Sequence, residues 1–475
     1  MNSKYFNIFG VSEEEMASIV SEGLKYGGDW CDLFFEHSIS CSVNLRDKSV
    51  NAGSYDIDHG CGIRVLKGEK TGYAYTESSD YKSLIKAAHT AGSIATACPN
   101  AEPVLNGAPK CEAEVVDNLY PVEKDWASVK TSELVPVLFK LDQLIRDKDS
   151  RVISVRASLS YNLRDVMMYN SAHELCCETR PMCDICASVV FKQGDVIENN
   201  QVSHSLMKGA EMITDALIER LASEAVEGLD DRFAAKRPKG GQMSVVLGAG
   251  ASGILLHEAM GHAFEADFNR KGQSVFADKM GTRICKEGID IVDDGTVVAS
   301  RGACQYDDEG VPGQKTYMVK DGILNSYLHD RVSAAYYKVA PTGNGRRESF
   351  RHYPIPRMRT TYMENGHDGS LEDLIASVKN GIYVDKFANG EVKIGEGDFT
   401  FYVKSGYMIE NGELTTPIKD VNIIGNGPDA LADIDAVASD LKIDEGTWTC
   451  GKGQSAPVSC GMPSVLVKKL TIGGE

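Results

Sequence analysis

The 475-residue chain contains no apolar run of the length needed to cross a bilayer, so a helical membrane protein is excluded as a reading. Its first residues, Met1-Asn2-Ser3-Lys4-Tyr5-Phe6-Asn7, place one lysine before polar residues broken by isolated apolar ones. The continuous apolar stretch of a secretory signal is missing, and export is not expected. Positive charge is also short: 50 Lys+Arg stand against 68 Asp+Glu, a formal net charge of -18. Such a chain repels phosphate backbones and anionic lipid surfaces, which argues against nucleic-acid and membrane partners. No 20–50-residue repeat and no low-complexity tract is visible. Cysteine is not scarce, but the 13 residues are odd in number and scattered, the usage of reduced thiols in a cytoplasmic protein. With 42% hydrophobic and 25% charged residues the composition is that of an ordinary globular protein, long enough for two to four domains.

The patterning predicts an α+β fold. Ser12 followed by Glu13, Glu14 and Glu15 opens a helix through Met16, Ile19, Val20 and Leu24. Strand-like runs lie at Asp32–Glu36, Ser42–Arg46 and Gly62–Leu66, with a helix over about Tyr81 to Ala97. Residues 98–109, rich in Pro, Asn and Gly, read as a linker. A helix near Thr131–Arg146, strands at Val152–Tyr161, Asp165–Asn170 and Met182–Lys192, and a helix from Ala210 to Ala225 follow. The charged stretch from Asp230 to Gly241, ending Lys236-Arg237-Pro238-Lys239-Gly240-Gly241, reads as a second boundary. This divides the chain into 1–110 and 111–240, α+β regions with mixed sheet and helices, and 241–475. The last is β-rich, sandwich or barrel-like, and carries one strong helix over about Ser252–Phe268.

That helix holds the chemistry. His257-Glu258-x-x-x-His262 has the residue types of a zincin helix, in which two histidines bind zinc and a glutamate activates water. The spacing is one residue too long. In a straight helix residues five apart point about 140° away from one another, so a π-bulge or local unwinding is required, and Gly261 is where the backbone yields most readily. The neighbours Ile254, Leu255, Leu256, Ala259, Met260, Ala263 and Phe264 predict burial on most sides, where His and Glu need partners. A catalytic zinc usually takes three protein ligands. Glu265, Asp267, another histidine or a distant cysteine are open as the third. Cys450 is attractive in its small-residue loop, with Lys452 nearby to favour the thiolate.

Other patterns compete. Gly248-Ala249-Gly250-Ala251-Ser252-Gly253 follows a strand and opens a helix, the context of a dinucleotide fingerprint. The polar helix after it and the absence of a second parallel strand ending in an acid argue against an oxidoreductase. Cys183-x-x-Cys186 lies in a strand-like run, where residues three apart face opposite sides, so a structural zinc knuckle is disfavoured. Arg346, Arg347, Arg351, His352, Arg357 and Arg359 form a basic cluster. Arg346 and Arg347 are candidates to clamp a peptide carboxylate, and internal pairing with the acidic excess is the competing reading. Phe401-Tyr402-Val403 reads as an edge strand open to an extended peptide.

Over nearly its whole length the chain resembles the TldD/PmbA family, specifically its TldD-type members. The resemblance rests on Gly60-Cys61-Gly62-Ile63-Arg64-Val65-Leu66, His257 to Asp267, Asp267 to Gly272, Asp307-Asp308-Glu309-Gly310, Pro341 to Ser349, Ile424 to Pro428, and Cys450 to Ser455. It implies a zinc metallopeptidase, with His257, His262 and Cys450 as ligands and Glu258 as the catalytic residue. It also implies cleavage of small or unfolded peptides in an enclosed cavity, in proteolytic maturation or degradation. A dimer is implied too, with a homologous PmbA-type subunit or with a second copy. The alternative within the same fold is a non-catalytic peptide-binding subunit. The older family label is modulator of DNA gyrase, although nothing in this acidic sequence points to DNA.

Overall fold

The computed structural model describes residues 3–97, 109–393 and 395–474. The linker expected at 98–109 falls outside them except at its last residue. The fold is α+β. Six strands, β1 (Trp30–Arg46), β2 (Ser49–Lys67), β3 (Lys70–Thr76), β4 (Val152–Asn170), β5 (Leu175–Gln193) and β6 (Val196–Leu206), form one sheet in the order β3-β2-β1-β4-β5-β6. A mixed sheet was expected; this one is antiparallel at every pairing. Tight turns return each chain beside its predecessor, and β4 re-enters next to β1. Strands on both sides of the 98–110 stretch therefore share hydrogen bonds, with Phe35 opposite Met167. Runs that read as separate short strands, such as Asp32–Glu36 and Ser42–Arg46, are parts of one long strand.

Alternation along β1 assigns the two faces. Leu33 and Phe35 point toward helices Glu13–Leu24 and Tyr81–Thr96, in a core with Met16, Ile19, Ile63, Leu84 and Met167. The first helix starts as its sequence predicted, with Ser12 and Glu15 forming a reciprocal cap. Further along the sheet, helices Thr131–Lys148 and Asp215–Val226 cover Val43, Leu159, Ile185 and Phe191. Asp32, Phe34 and Glu36 point the other way, onto the C-terminal body. Phe34 packs there with Val166, Met168 and Phe350.

The C-terminal body contains a closed barrel. Gly241–Leu247 runs parallel to Asn380–Lys393 and antiparallel to Val465–Gly473. The latter pairs with Val421–Asn426, that strand with Asp398–Glu410, and Asp398–Glu410 closes the ring on Asn380–Lys393. This arrangement agrees with the case against a dinucleotide fold and corrects the edge-strand expectation for 401–403. Gly241–Leu247 is a barrel strand, which removes the sheet context of a dinucleotide fold. Phe401 lies opposite both Gly390 and Ile423, so 401–403 is interior to the ring and offers no free edge. A second sheet places Thr360–Met363 parallel to Ser459–Met462. The helical segment after Gly253 packs between this sheet and the barrel, in a core shared with Leu247, Phe399, Met358 and Cys460. Gly253 is needed for that contact: a Cβ there would come within 2.6 Å of the Gly461 nitrogen.

Charged residues fasten the two halves. Arg64 and Asp32 are 1% and 5% exposed, and the guanidinium donates to Asp32 from Nε at 2.8 Å and Nη2 at 2.6 Å. Its Nη1 lies 2.7 Å from Glu309 of the C-terminal body. Arg347 from the same body reaches Asp32 at 3.4 Å. Burial alone pushes the Asp32 carboxyl upward, but Arg64 and Arg347 outweigh it and hold it below its ordinary range. Arg64→Met removes one partner of a buried pair and is expected to cost about 3–5 kcal/mol in urea unfolding. The deficit should grow as pH rises through the carboxylate range, because the variant buries an Asp32 charge that wild type compensates.

Candidate metal centre

The helix opens normally over Gly253–Leu256 and then widens to a π turn over His257–Gly261. The His262 amide donates to the His257 carbonyl, a bond across five residues. In such a turn residues five apart come round to the same side of the helix, and the one-residue excess in the motif is absorbed. The two imidazole centroids are 5.3 Å apart at 81°. The chain tightens over His262–Phe264, breaks at Glu265, which is extended (φ -67, ψ 126), and resumes helix at Ala266–Arg270. The single helix expected over 252–268 is thus interrupted once, at Glu265. Gly261 is itself regular helix (φ -57, ψ -47). Its role is space: a Cβ would sit 2.1 Å from the Met358 sulfur.

Cys450 arrives from a hairpin in which Thr449–Gly451 pairs with Ser455–Pro457. Its Sγ lies 3.2 Å from His262 Nε2. One ligand atom each from His257, His262 and Cys450 falls within 4.8 Å of the others, and among the described residues this is the one such group. All three are buried, and both ring nitrogens of His257 lack any hydrogen-bond partner among the described residues. Donors about 2.0–2.3 Å from a shared zinc ion lie at most about 4–4.5 Å apart, so closing these three on one ion takes only small shifts. An orphaned buried imidazole beside a thiol and a second imidazole is the donor set of a soft or borderline divalent metal. Glu258 stands alongside, its Oε2 3.9 Å from His262 Nε2. Its side chain retains 23% exposure where the three donors are enclosed.

Residues around the donors hold them in place. His262 Nδ1 donates to Glu265 Oε2 at 3.0 Å, which fixes the ring and turns Nε2 toward Cys450. Glu265 is fully enclosed, with Lys452 Nζ at 3.1 Å and Arg357 Nε at 3.9 Å. Burial would raise its carboxyl, yet Lys452 and His262 pull it down to about 2. Arg357 donates to the carbonyl oxygens of Cys450, at 2.7 Å, and Gln454, at 2.8 Å, and so pins the hairpin. Lys452 was expected to favour the Cys450 thiolate; its ammonium instead pairs with Glu265 and with Asp267 at 2.6 Å. Burial opposes the thiolate, and the His257 and His262 imidazoles bring the thiol down to about 5.

The structure brings His257, Glu258, His262 and Cys450 together. Glu265 and Asp267, open as third ligands on sequence grounds, are engaged in ion pairs. Arg346 and Arg347 are not at the cluster. Both are buried, and Arg347 is paired with Asp32 and with the Asp308 carbonyl at 2.9 Å. Arg351 pairs with Asp58 and Glu77, and Arg359 donates to the carbonyls of Gly343 and Gly302. Cys183 is buried and Cys186 half-buried on β5, and they form no metal group. The role of Arg357 had no signal in sequence beyond membership of the basic cluster.

Residues 240–474 match the PmbA/TldA metallopeptidase C-terminal domain, and residues 31–95 match domain 1 of the same family. A metalloprotease TldD homologue from Haemophilus influenzae is 38% identical over 458 residues, covering 94% of this chain and 93% of that protein. The chain belongs to the PmbA/TldA metallopeptidase family. A second relative, the metalloprotease TldD homologue of Buchnera aphidicola, is 34% identical over 98% of this chain and 96% of its own length. A zinc metalloprotease TldD homologue from Saccharolobus solfataricus is 35% identical over 289 residues, 60% of this chain and 63% of that protein. The TldE structure from Thermococcus kodakarensis has the same fold, with a TM-score of 0.76, 19% identity, and coverage of 97% of this chain and 100% of that one. This family member is accordingly a peptidase with a metal cofactor. No described helix is long and apolar enough to cross a membrane.

Two outcomes follow from the geometry. In metal-free protein, the thiolate absorbance lost in Cys450→Ser should persist down to pH about 5 and disappear below it. Gly261→Ala should cost about 1–3 kcal/mol in thermal or urea unfolding by forcing Met358 aside, and Met358→Ala in that background should recover part of the loss.

Proposed function

We propose that this chain is a zinc-dependent peptidase acting on small or unfolded peptides, with His257, His262 and Cys450 as zinc ligands and Glu258 as the catalytic acid–base. The observation that carries the reading is the His257 imidazole, buried with both nitrogens unpartnered beside the Cys450 thiol and His262 Nε2. A buried polar group without a partner is costly, and an ion at this point removes the cost. Two imidazoles and a thiolate leave a fourth tetrahedral position for water or substrate, the pattern of catalytic rather than structural zinc. The relative named as a zinc metalloprotease supports the choice of metal. Bound zinc supplies Lewis acidity toward water and carbonyl oxygen.

The protein's own groups supply the rest. Glu258 is the half-buried carboxylate beside the cluster, within reach to take a proton from the attacking water and return it to the leaving amine nitrogen. Glu265 keeps the proton of His262 on Nδ1, leaving Nε2 to face the ion. Arg357 and Lys452 hold the Cys450 hairpin against the helical segment. We further propose that the chain acts as a dimer, with a homologous subunit or a second copy, enclosing the peptide in a cavity, in proteolytic maturation or degradation. The shared fold with a TldE structure supports a partner of the same architecture. The twelve described cysteines are free thiols, which supports a reducing, cytoplasmic setting.

Protein purified without chelator should contain one zinc per chain, and Cys450→Ala should lose it. Glu258→Gln should retain the zinc while peptide hydrolysis falls by about 10²–10⁴-fold. Peptide binding without cleavage by zinc-loaded wild type, with a homologous subunit present, would instead identify a non-catalytic binding subunit.

A further inference from the structure

A cavity of about 560 Å³ lies between the N-terminal sheet and the C-terminal body, on the reverse of the hairpin that carries Cys450. In the hairpin, Cys450 opposes Ala456, Thr449 opposes Pro457 and Gly451 opposes Ser455. Neighbouring positions face opposite sides. Cys450 and Ala456 turn inward and are buried, while Thr449, Ser455 and Pro457 line the cavity. The metal cluster and the cavity are therefore back to back across one hairpin.

Seven arginines and five carboxylates line this space, so at least two guanidinium charges are unmatched within it. The carboxylates are engaged. Glu36 accepts from Arg164 at 2.8 Å, Asp308 from Arg180 at 2.5 Å, and Asp58 from Arg351 at 2.9 Å. Asp184 pairs with Arg301, and Glu348 accepts from the Ser455 amide. Arg346 and Arg359 have no carboxylate at ion-pair distance among the described residues. Arg346 donates Nη1 to the Met358 carbonyl at 2.5 Å and Nη2 to the Pro457 carbonyl at 2.7 Å, leaving Nε without a described partner. Arg359 donates Nε to the Gly343 carbonyl at 2.6 Å and Nη1 to the Gly302 carbonyl at 3.3 Å, leaving Nη2 free in the same sense. Carbonyls orient a guanidinium but do not neutralise it. Burial, then Arg359 and Arg357, push Arg346 down to about 9, the response of a cation that lacks its counter-ion. Met182, Met207 and Ala303 give the same cavity an apolar wall.

We propose that this cavity binds a carboxylate carried on an apolar body, and that its ligand is the C-terminal residue of a peptide. A planar guanidinium with a spare N–H matches a carboxylate, and a volume of several hundred Å³ with apolar walls fits one residue and its neighbours. Peptide termini are the carboxylates that a peptidase brings to its own surface, so this choice of ligand class rests on the peptidase reading. Because Arg346 holds the Pro457 carbonyl of the Cys450 hairpin, occupancy also steadies the strand that presents the thiol.

The test is calorimetry on zinc-loaded, full-length Glu258→Gln with an N-acetylated tripeptide ending in leucine, as free acid and as C-terminal amide. The acid should bind at least about ten-fold tighter, the order of one charge-assisted contact. Adding Arg346→Gln should abolish the preference, so that acid and amide bind alike. Should Arg346→Gln not fold, Met182→Glu, which places a carboxylate on the cavity wall, should abolish it equally. Equal binding of acid and amide, or a preference that survives these substitutions, overturns the site. Inorganic phosphate competing as tightly as the peptide acid overturns the peptide assignment. A wild type that hydrolyses no peptide, while the acid preference stands, refutes the peptidase reading and leaves the cavity's carboxylate site in place.

Discussion

The functional geometry depends on one hydrogen bond, from the His262 amide to the His257 carbonyl. An α-helical turn would close one residue earlier and swing the two imidazoles to different sides. The wider turn brings them to one side, edge to face, where Cys450 meets them. It persists because surrounding contacts leave it little choice. Gly253 is pressed against Gly461, Gly261 against Met358, and Ala259, Met260 and Phe264 are locked in the core between barrel and second sheet. π turns of this kind recur at functional sites because packing has to over-determine them.

The second support is electrostatic. Glu265 sits where the chain breaks after the helical segment, and from there it reaches His262 while receiving Lys452 and lying near Arg357. Three elements distant in sequence meet at this one buried carboxylate. Arg357 then ties the carbonyls of the Cys450 hairpin to the same group of charges. A fully buried carboxylate is tolerable only when matched in this way. The buried charges that orient the donors and those that join the two halves of the protein, through Arg64, Asp32, Arg347 and Asp308, share the 346–359 stretch. Site and domain contact are thus built from one segment.

That stretch shows where sequence reasoning reaches its limit. The density of arginine was plain, and both a ligand clamp and internal pairing were reasonable. The structure divides the cluster residue by residue: Arg347 and Arg351 are paired, Arg357 holds a hairpin, and Arg346 and Arg359 are without a counter-ion. Which carboxylate lies near which guanidinium is set by Asp32 on β1, Asp58 on β2 and Glu77, hundreds of residues earlier in the chain. The edge-strand reading of 401–403 failed for the same reason, since alternation defines a strand but does not show what pairs with its sides. The long strand β1 read as two short pieces because His37, Ser38 and Ser40 between them are polar, and only the pairing with β2 and β4 carries the strand through them.

Local pattern was enough for the Ser12 helix cap, the α+β class, and the need for a distortion between His257 and His262. These follow from interactions spanning a few residues, which neighbours in sequence decide. Residue types alone also marked a metal-binding chemistry. The convergence of Cys450 on the two imidazoles, the diversion of Lys452 to Glu265, and the unmatched guanidinium cavity behind the hairpin were decided by tertiary structure. Each is a matter of burial and charge balance between segments far apart in the chain, and such balances exist only once the chain has folded.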